Sequence, residues 1–327
     1  MNKKAMGFLT VASSAIVLAA CGSSSANSND QVIIYSNADD EAIEVMQNTL
    51  NEKGFEGEYI IQSVGTSELG GKLLAEGKSI EADVVTMASY YIDSADAQHE
   101  MFLDLTSSQA LIDEMSNVQL PILGNVGSIF INTEMLAQKG LDTPTSIKDL
   151  TNPQYKNLIS IPNIMDSSTG WLLVQAVIAE YGEQEGQQIL ADLIQNVGPH
   201  LESSGSGPIK KVKTGEVPIG FGLRAQAIDA KEEGLPIDTI DPIEGNYSLV
   251  ESVAVIDKED DEKEQKAQEI ALTIANEARV QLLTQYPVAL YEGESVSDEP
   301  AYLKKWATTL TVELLQQHQA IFEAAKQ

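Results

Sequence analysis

Cysteine is almost absent from this chain: Cys21 is the only one in 327 residues. No intrachain disulfide can form, so the fold must rest on its apolar core. Positive charge is scarce too, with 20 Lys and Arg against 49 Asp and Glu and a net charge of −29. Nucleic acid and anionic lipid both require clustered Lys and Arg, so neither is expected as a partner. The three histidines, His99, His200 and His318, stand far apart and match no metal-ligand spacing. No metal or other cofactor is expected. A Gly-x-Ser-x-Gly frame, a Walker loop and a His-Glu-x-x-His helix are all missing, which argues against an enzyme. No apolar run reaches the ~20 residues that span a bilayer, and no internal repeat is visible.

What is present starts at Cys21. Lys3 and Lys4 precede an apolar stretch from Ala5 to Ala20, closed by Leu18-Ala19-Ala20-Cys21. That is the layout of a secretory signal over 1–20. Its small-small-Cys ending resembles a lipobox, in which the cysteine is acylated and becomes the new N-terminus. Residues 21–31, rich in Ser and Asn, have the composition of a flexible tether. A diacylglycerol on Cys21 would supply stable two-chain anchoring. The expected location is the outer face of a cell membrane, on a Gram-positive surface or in a periplasm, with the lipid as the sole membrane contact.

After the tether, strands and helices alternate. Val32-Ile33-Ile34-Tyr35, Tyr59-Ile60-Ile61 and Ala82 to Met87 read as strands. Between them, Ala42, Ile43, Val45, Met46 and Leu50, then Leu69, Leu73 and Leu74, recur at helical spacing. Past Pro121 the pattern restarts with strands at 128–131, 157–161, 217–221 and 252–256. Helices are expected over 171–181 and 184–196, from 209, around 271–283 and from Tyr302 onward. Continuous apolar runs alternating with helices indicate an α/β fold with mainly parallel sheets.

Four segments carry a family resemblance. They are Val32 to Ser36; Gly124-Asn125-Val126-Gly127-Ser128-Ile129-Phe130-Ile131-Asn132; Ser203-Ser204-Gly205-Ser206-Gly207 with Lys213 to Gly220; and Asp241-Pro242-Ile243-Glu244-Gly245-Asn246 followed by Val253-Ala254-Val255. In order and spacing the chain resembles the extracellular solute-binding proteins of ABC importers, in the branch of ferric-ion, phosphonate and sugar-phosphate binders. The resemblance implies a two-lobed type II periplasmic-binding-protein fold, each lobe a mainly parallel sheet flanked by helices, joined by two crossing segments. It places one lobe at 32–119 plus 251–327 and the other at 120–250. It also implies a monomer that closes on a small solute and docks on importer permease subunits.

Ligands of open α/β sheets bind outside the carboxyl ends of the strands. Those ends carry Ser36-Asn37, Gly65-Thr66-Ser67, Ala88-Ser89-Tyr90, Ser167-Ser168-Thr169, Ser203-Ser204-Gly205-Ser206 and Leu223-Arg224. Hydroxyls and free N–H groups at helix starts suit a tetrahedral anion, and the Arg224 guanidinium is expected to fork onto it. Ferric binders of the branch resemble one another in a Tyr-Tyr pair after the strand equivalent to Val217–Phe221. Here Gly222-Leu223-Arg224-Ala225-Gln226 stands there, which disfavours iron. An amine on the ligand would be met by acids among Asp39, Glu68, Asp166, Glu202 and Glu244, a sugar by a ring among Tyr90, Trp171 and Tyr247. Of the two, a phosphonate such as 2-aminoethylphosphonate is preferred to a sugar phosphate. A surface adhesin is the remote alternative.

Overall fold

The computed structural model describes residues 31–327; Cys21 and the signal lie outside the described residues. β1 (Val32–Ser36), α1 (Asp40–Glu52), β2 (Tyr59–Ser63), α2 (Thr66–Glu76), β3 (Val84–Ala88) and α3 (Ser89–His99) alternate at the start. β1 lies between β2 and β3 and is parallel to both. Helices cover each face of β1 and β3, so nearly every position there is buried, whereas β2 is a largely exposed edge. Val32 and Ile34 pack with Ala42, Val45 and Met46 of α1. Tyr35 and Val85 pack with Leu69 and Leu73 of α2 on the other side.

β4 (Leu120–Asn132) is buried along all 13 residues. Its first half pairs antiparallel with β9 (Asn246–Val255), and its second half with β7 (Ile219–Leu223) and β8 (Ile237–Ile240). β9 in turn pairs with β3. These two long strands are the crossing segments between the lobes. The sequence pattern shows only their most apolar pieces, 128–131 and 252–256. The remainder is interrupted by Gly124, Asn125, Ser248 and Glu251, whose burial depends on pairing with each other's strand. The second lobe contains α4 (Thr133–Lys139), β5 (Ile159–Pro162), α5 (Ser168–Val197), β6 (Leu201–Glu202), α6 (Gly207–Lys213), β7, α7 (Arg224–Glu232) and β8. β5 runs parallel to β6 and β7. The strand order β2-β1-β3-β9-β4-β7-β5-β6 gives a curled, mainly parallel two-lobed α/β fold of the type II periplasmic-binding-protein kind. The helices expected at 171–181 and 184–196 are both found within α5, separated by a kink at Gly182, whose φ of 73° and ψ of 172° suit glycine.

α8 (Asp261–Thr273) and α9 (Arg279–Gln285) pack on the first lobe. β10 (Leu303–Lys304) and α10 (Val312–Ala325) lie mainly on the second, although 251–327 was expected to stay whole on the first, and α10 also touches α3. β10 pairs with Asn246–Tyr247 of β9, and α10 packs against α5. Trp171 Nε1 donates to His318 Nδ1 at 2.8 Å and Gln319 Nε2 to the Ile164 carbonyl at 3.2 Å. Amphipathic spacing shows that a helix needs a groove, but both lobes offer one.

Burial pushes the His318 imidazole down to about 4. The folded protein holds it neutral, while the unfolded chain takes up a proton below its ordinary value of about 6.5. Stability is therefore expected to fall as pH drops from about 6.5 towards 4. Urea midpoints at pH 7 and pH 5 should separate more for the wild type than for His318→Gln; equal separations would remove His318 as the group responsible.

Candidate ligand-binding cleft

The carboxyl ends of β1, β2, β5, β6 and β7 open onto one cleft of about 240 Å3 between the lobes. Its upper wall is built from hydroxyl groups: Thr66 from the first lobe, and Ser167, Ser168, Thr169, Ser204 and Ser206 from the second. α2 begins at Gly65 with no side chain bonded to its first N–H groups. α5 begins at Ser167, whose Oγ accepts from Thr169 N at 3.3 Å. First-turn N–H groups lack intrahelical acceptors and sit at the positive end of the helix dipole. Hydroxyls and helix starts together form a donor-rich wall suited to an oxyanion. Lys210, one turn beyond Ser206 on α6, also lines the cleft, with Nζ 3.8 Å from Asp40 of the other lobe.

Gly205 makes this wall possible. A Cβ there would stand 2.3 Å from Thr169 Oγ1 and 3.0 Å from Ser167 Oγ. The loops after β5 and β6 can approach this closely only because no side chain intervenes.

The floor is different in kind. Asn37 follows β1, Asn125 lies in β4 and Glu251 in β9, and all three line the cleft. Asn125 Nδ2 donates to Glu251 Oε1 at 3.0 Å, and Asn37 Nδ2 to Thr66 Oγ1 at 3.0 Å. Burial, reinforced by the charge of Asp39, pushes the Glu251 carboxyl up to about 8. Burial likewise raises Asp39, against the hydrogen bonds from Tyr286 OH and Ala42 N that favour its ionised form. Two bonds join the lobes beside the cleft. Ser67 Oγ donates to the Met165 carbonyl at 2.6 Å, and Gln226 Nε2 to Asp39 Oδ2 at 3.3 Å.

The structure brings Asn37, Thr66, Ser167, Ser168, Thr169, Ser204, Gly205 and Ser206 together at the cleft. It places the other expected residues elsewhere. Ser36 is fully buried, its Oγ accepting from Thr86 Oγ1 at 2.7 Å and from Ala38 N, so it shapes the turn after β1. Ser67 clasps the lobes through Met165 and does not line the cavity. Tyr90 stacks edge-on to Trp171 at 4.9 Å and borders a separate hollow with Trp306. Arg224 is committed to acids: its Nε donates to Asp241 at 3.1 Å and its Nη1 to Asp298 at 2.8 Å. Glu244 accepts from Ile147 N at 2.9 Å, Lys148 N at 3.0 Å and Tyr181 OH at 3.0 Å, closing the turn that follows α4. Trp171 and Tyr247 belong to the core. Of the suggested acids, Asp39 and Asp166 reach the cleft, while Glu68, Glu202 and Glu244 do not.

Asp40, Ser63, Asn125, Lys210 and Glu251 are the polar lining residues that sequence reasoning missed. Lys210 was readable as the residue four positions beyond Ser206, on the same helix face. Asn125 and Glu251 were not, because they sit mid-strand and not at a strand end.

Residues 87–304 match the family described as bacterial extracellular solute-binding protein, which is two thirds of the chain. The chain belongs to that family. The solute-binding protein is 25% identical over 264 residues to a Haemophilus influenzae protein named only as an uncharacterized protein, covering 76% of this chain and 74% of that one. Its fold is similar to that of a periplasmic thiamin binding protein, with a TM-score of 0.71 at 16% identity over 90% of this chain and 96% of the other. It is also similar to the periplasmic binding protein AfuA from Actinobacillus pleuropneumoniae, solved with fructose-6-phosphate, with a TM-score of 0.69 at 16% identity over 90% and 94%. The solute-binding class of ABC importers, expected from the sequence, is the class found.

Proposed function

We propose that this solute-binding protein captures a small phosphorylated or phosphonate anion, with 2-aminoethylphosphonate the first candidate, and presents it to an ABC-importer permease from a lipid anchor on Cys21. The observation that carries the reading is the wall of Thr66, Ser167, Ser168, Thr169, Ser204 and Ser206, set at the starts of α2 and α5 with Lys210 alongside. A tetrahedral oxyanion accepts from many such donors at once. Lobe closure brings Thr66 of one lobe and the serines of the other onto the same group, so a ligand that bridges them stabilises the closed form.

The structure offers less support for the two other readings from the sequence. A sugar ring gains from an aromatic face, and the lining residues include no aromatic ring. Ferric ion prefers phenolate, carboxylate and imidazole ligands, and of these the lining residues supply only carboxylates, with neither Tyr nor His.

Thermal melts test the reading. A ligand at a hundred times its Kd stabilises by about 2.7 kcal/mol, a rise of roughly 5 °C for a chain of this size. The rise is expected with 2-aminoethylphosphonate, and a smaller one with inorganic phosphate or glucose 6-phosphate. A rise with ferric citrate and none with any phosphorus compound would sink the oxyanion reading.

A further inference from the structure

We infer that the floor of the cleft is a subsite for a primary ammonium group, so that the solute is a zwitterion with an amine set apart from its oxyanion. The identity of the solute as a zwitterion rests on the proposed oxyanion wall; the ammonium subsite itself does not.

Three acceptors on the floor have no hydrogen-bond partner: Asn37 Oδ1, Asn125 Oδ1 and Glu251 Oε2. All three are shielded from solvent, and Asn125 and Glu251 are only 9% and 2% exposed. A buried acceptor left unpaired is costly, so three around one cavity mark the place of a donor. The Glu251 carboxyl, an acceptor, orients the Asn125 amide, and the Asn37 amide lies between Thr66 Oγ1 and Glu251. Asn37 spends its Nδ2 on Thr66 Oγ1 and Asn125 spends its Nδ2 on Glu251 Oε1, which leaves each carbonyl oxygen free. Glu251 likewise has one oxygen engaged and one free.

The number and type of these groups select the ligand chemistry. A primary ammonium carries three N–H donors and no acceptor. A sugar hydroxyl donates once and brings lone pairs that would face the same acceptors. Burial, and after it the charge of Asp39, raise the Glu251 carboxyl; an ammonium at Glu251 Oε2 would favour the ionised form and draw that value down. Asp39 is itself occupied by Tyr286 OH, Ala42 N and Gln226 Nε2, so it contributes charge and not a free acceptor. Among the described residues no group of three or more His, Cys, Asp and Glu is placed to hold a metal ion. The cation that fits is therefore one satisfied by two amide carbonyls and a single carboxylate oxygen.

Calorimetric titration of the mature chain with 2-aminoethylphosphonate, ethylphosphonate, propylamine and calcium separates the cases. 2-Aminoethylphosphonate is expected to bind at least about 30-fold more tightly than ethylphosphonate, as for an added charged hydrogen bond. In Glu251→Gln that ratio should fall below about 3-fold with ethylphosphonate affinity kept. The glutamine of Glu251→Gln keeps an acceptor for Asn125 Nδ2, so that variant is expected to fold, and Asn37→Ala serves as a second variant with the same expected loss of ratio. Equal affinity for the two phosphonates, or a ratio that persists in both variants, overturns the ammonium subsite and leaves the oxyanion reading standing. Binding of propylamine without any phosphonate supports the subsite and removes the oxyanion reading. Calcium binding lost in Glu251→Gln makes the floor a metal site and overturns the inference.

Discussion

Gly205→Ala is expected to weaken binding of 2-aminoethylphosphonate by about 100-fold or more, with little change in the ligand-free melting temperature. The added Cβ would meet Thr169 Oγ1 at 2.3 Å, a distance no methyl group can hold, so Thr169 must rotate away or the two loops must part. Either movement takes hydroxyls of the 167–169 and 203–206 segments off a common target. Hydrogen bonds to a charged group contribute about 1.5–3 kcal/mol each, and two lost bonds correspond to a factor of at least about 100. The melting temperature should hold because the atoms met are the side-chain oxygens of Thr169 and Ser167, which can turn without moving the apolar core. Calorimetry of wild type and variant under one buffer decides the matter. Unchanged affinity would mean that the segment from Ser203 to Ser206 does not touch the solute.

Arg279→Met is expected to lower stability by about 3–5 kcal/mol, the usual cost of leaving one member of a buried ion pair alone. Arg279 is 3% exposed. Its Nε and Nη2 donate to the two Glu294 oxygens at 2.8 and 2.7 Å, and Nη1 and Nη2 to the Ile122 and Val288 carbonyls at 3.1 and 2.6 Å. Burial alone would raise Glu294. Hydrogen bonds from Arg279, Leu290 N and Tyr291 N outweigh it and hold the carboxyl below its ordinary value. The stability from Glu294 is thus present above the ordinary Glu range and is lost as pH falls through its folded-state value. Urea unfolding at pH 7 measures the loss. Arg279→Met combined with Glu294→Leu should recover much of it, because the orphaned carboxylate is then gone. A loss below about 1 kcal/mol in the single variant would contradict this account.

The two halves of the cleft differed in how far the sequence exposed them. Segments such as Ser167-Ser168-Thr169 and Ser203-Ser204-Gly205-Ser206 were legible because each follows an apolar run and precedes a helical one, and strand ends of an α/β sheet face the ligand. The floor was hidden for the opposite reason. Asn125 and Glu251 interrupt apolar runs in the middle of β4 and β9, where a polar residue usually reads as the end of a strand. They meet only because Leu123 pairs with Glu251 and Asn125 with Leu249 across the two strands. Arg224 shows a different gap. Its place at a strand end suggested a ligand role, yet the surplus of acids supplied Asp241 and Asp298 as partners. Tyr90 stands at a strand end as expected, but the first turn of α3 rotates its ring onto Trp171 and into the core. Sequence gives the position of a residue along the chain, and helix phase decides which way it points.

The return of the chain to the second lobe after α9 has a mechanical consequence. β4 and β9 lie side by side, so a joint made of these two alone would let one lobe both bend and twist relative to the other. The stretch between Arg279 and Leu303 is a third tie. It is fixed at one end to the Ile122 carbonyl through Arg279 and at the other to Arg224 and Asp241 through Asp298 and Ala301. A third tie set off the line of the first two resists twist and leaves bending as the soft direction. Opening of the cleft by bending then requires the bond from Ser67 Oγ to the Met165 carbonyl to break.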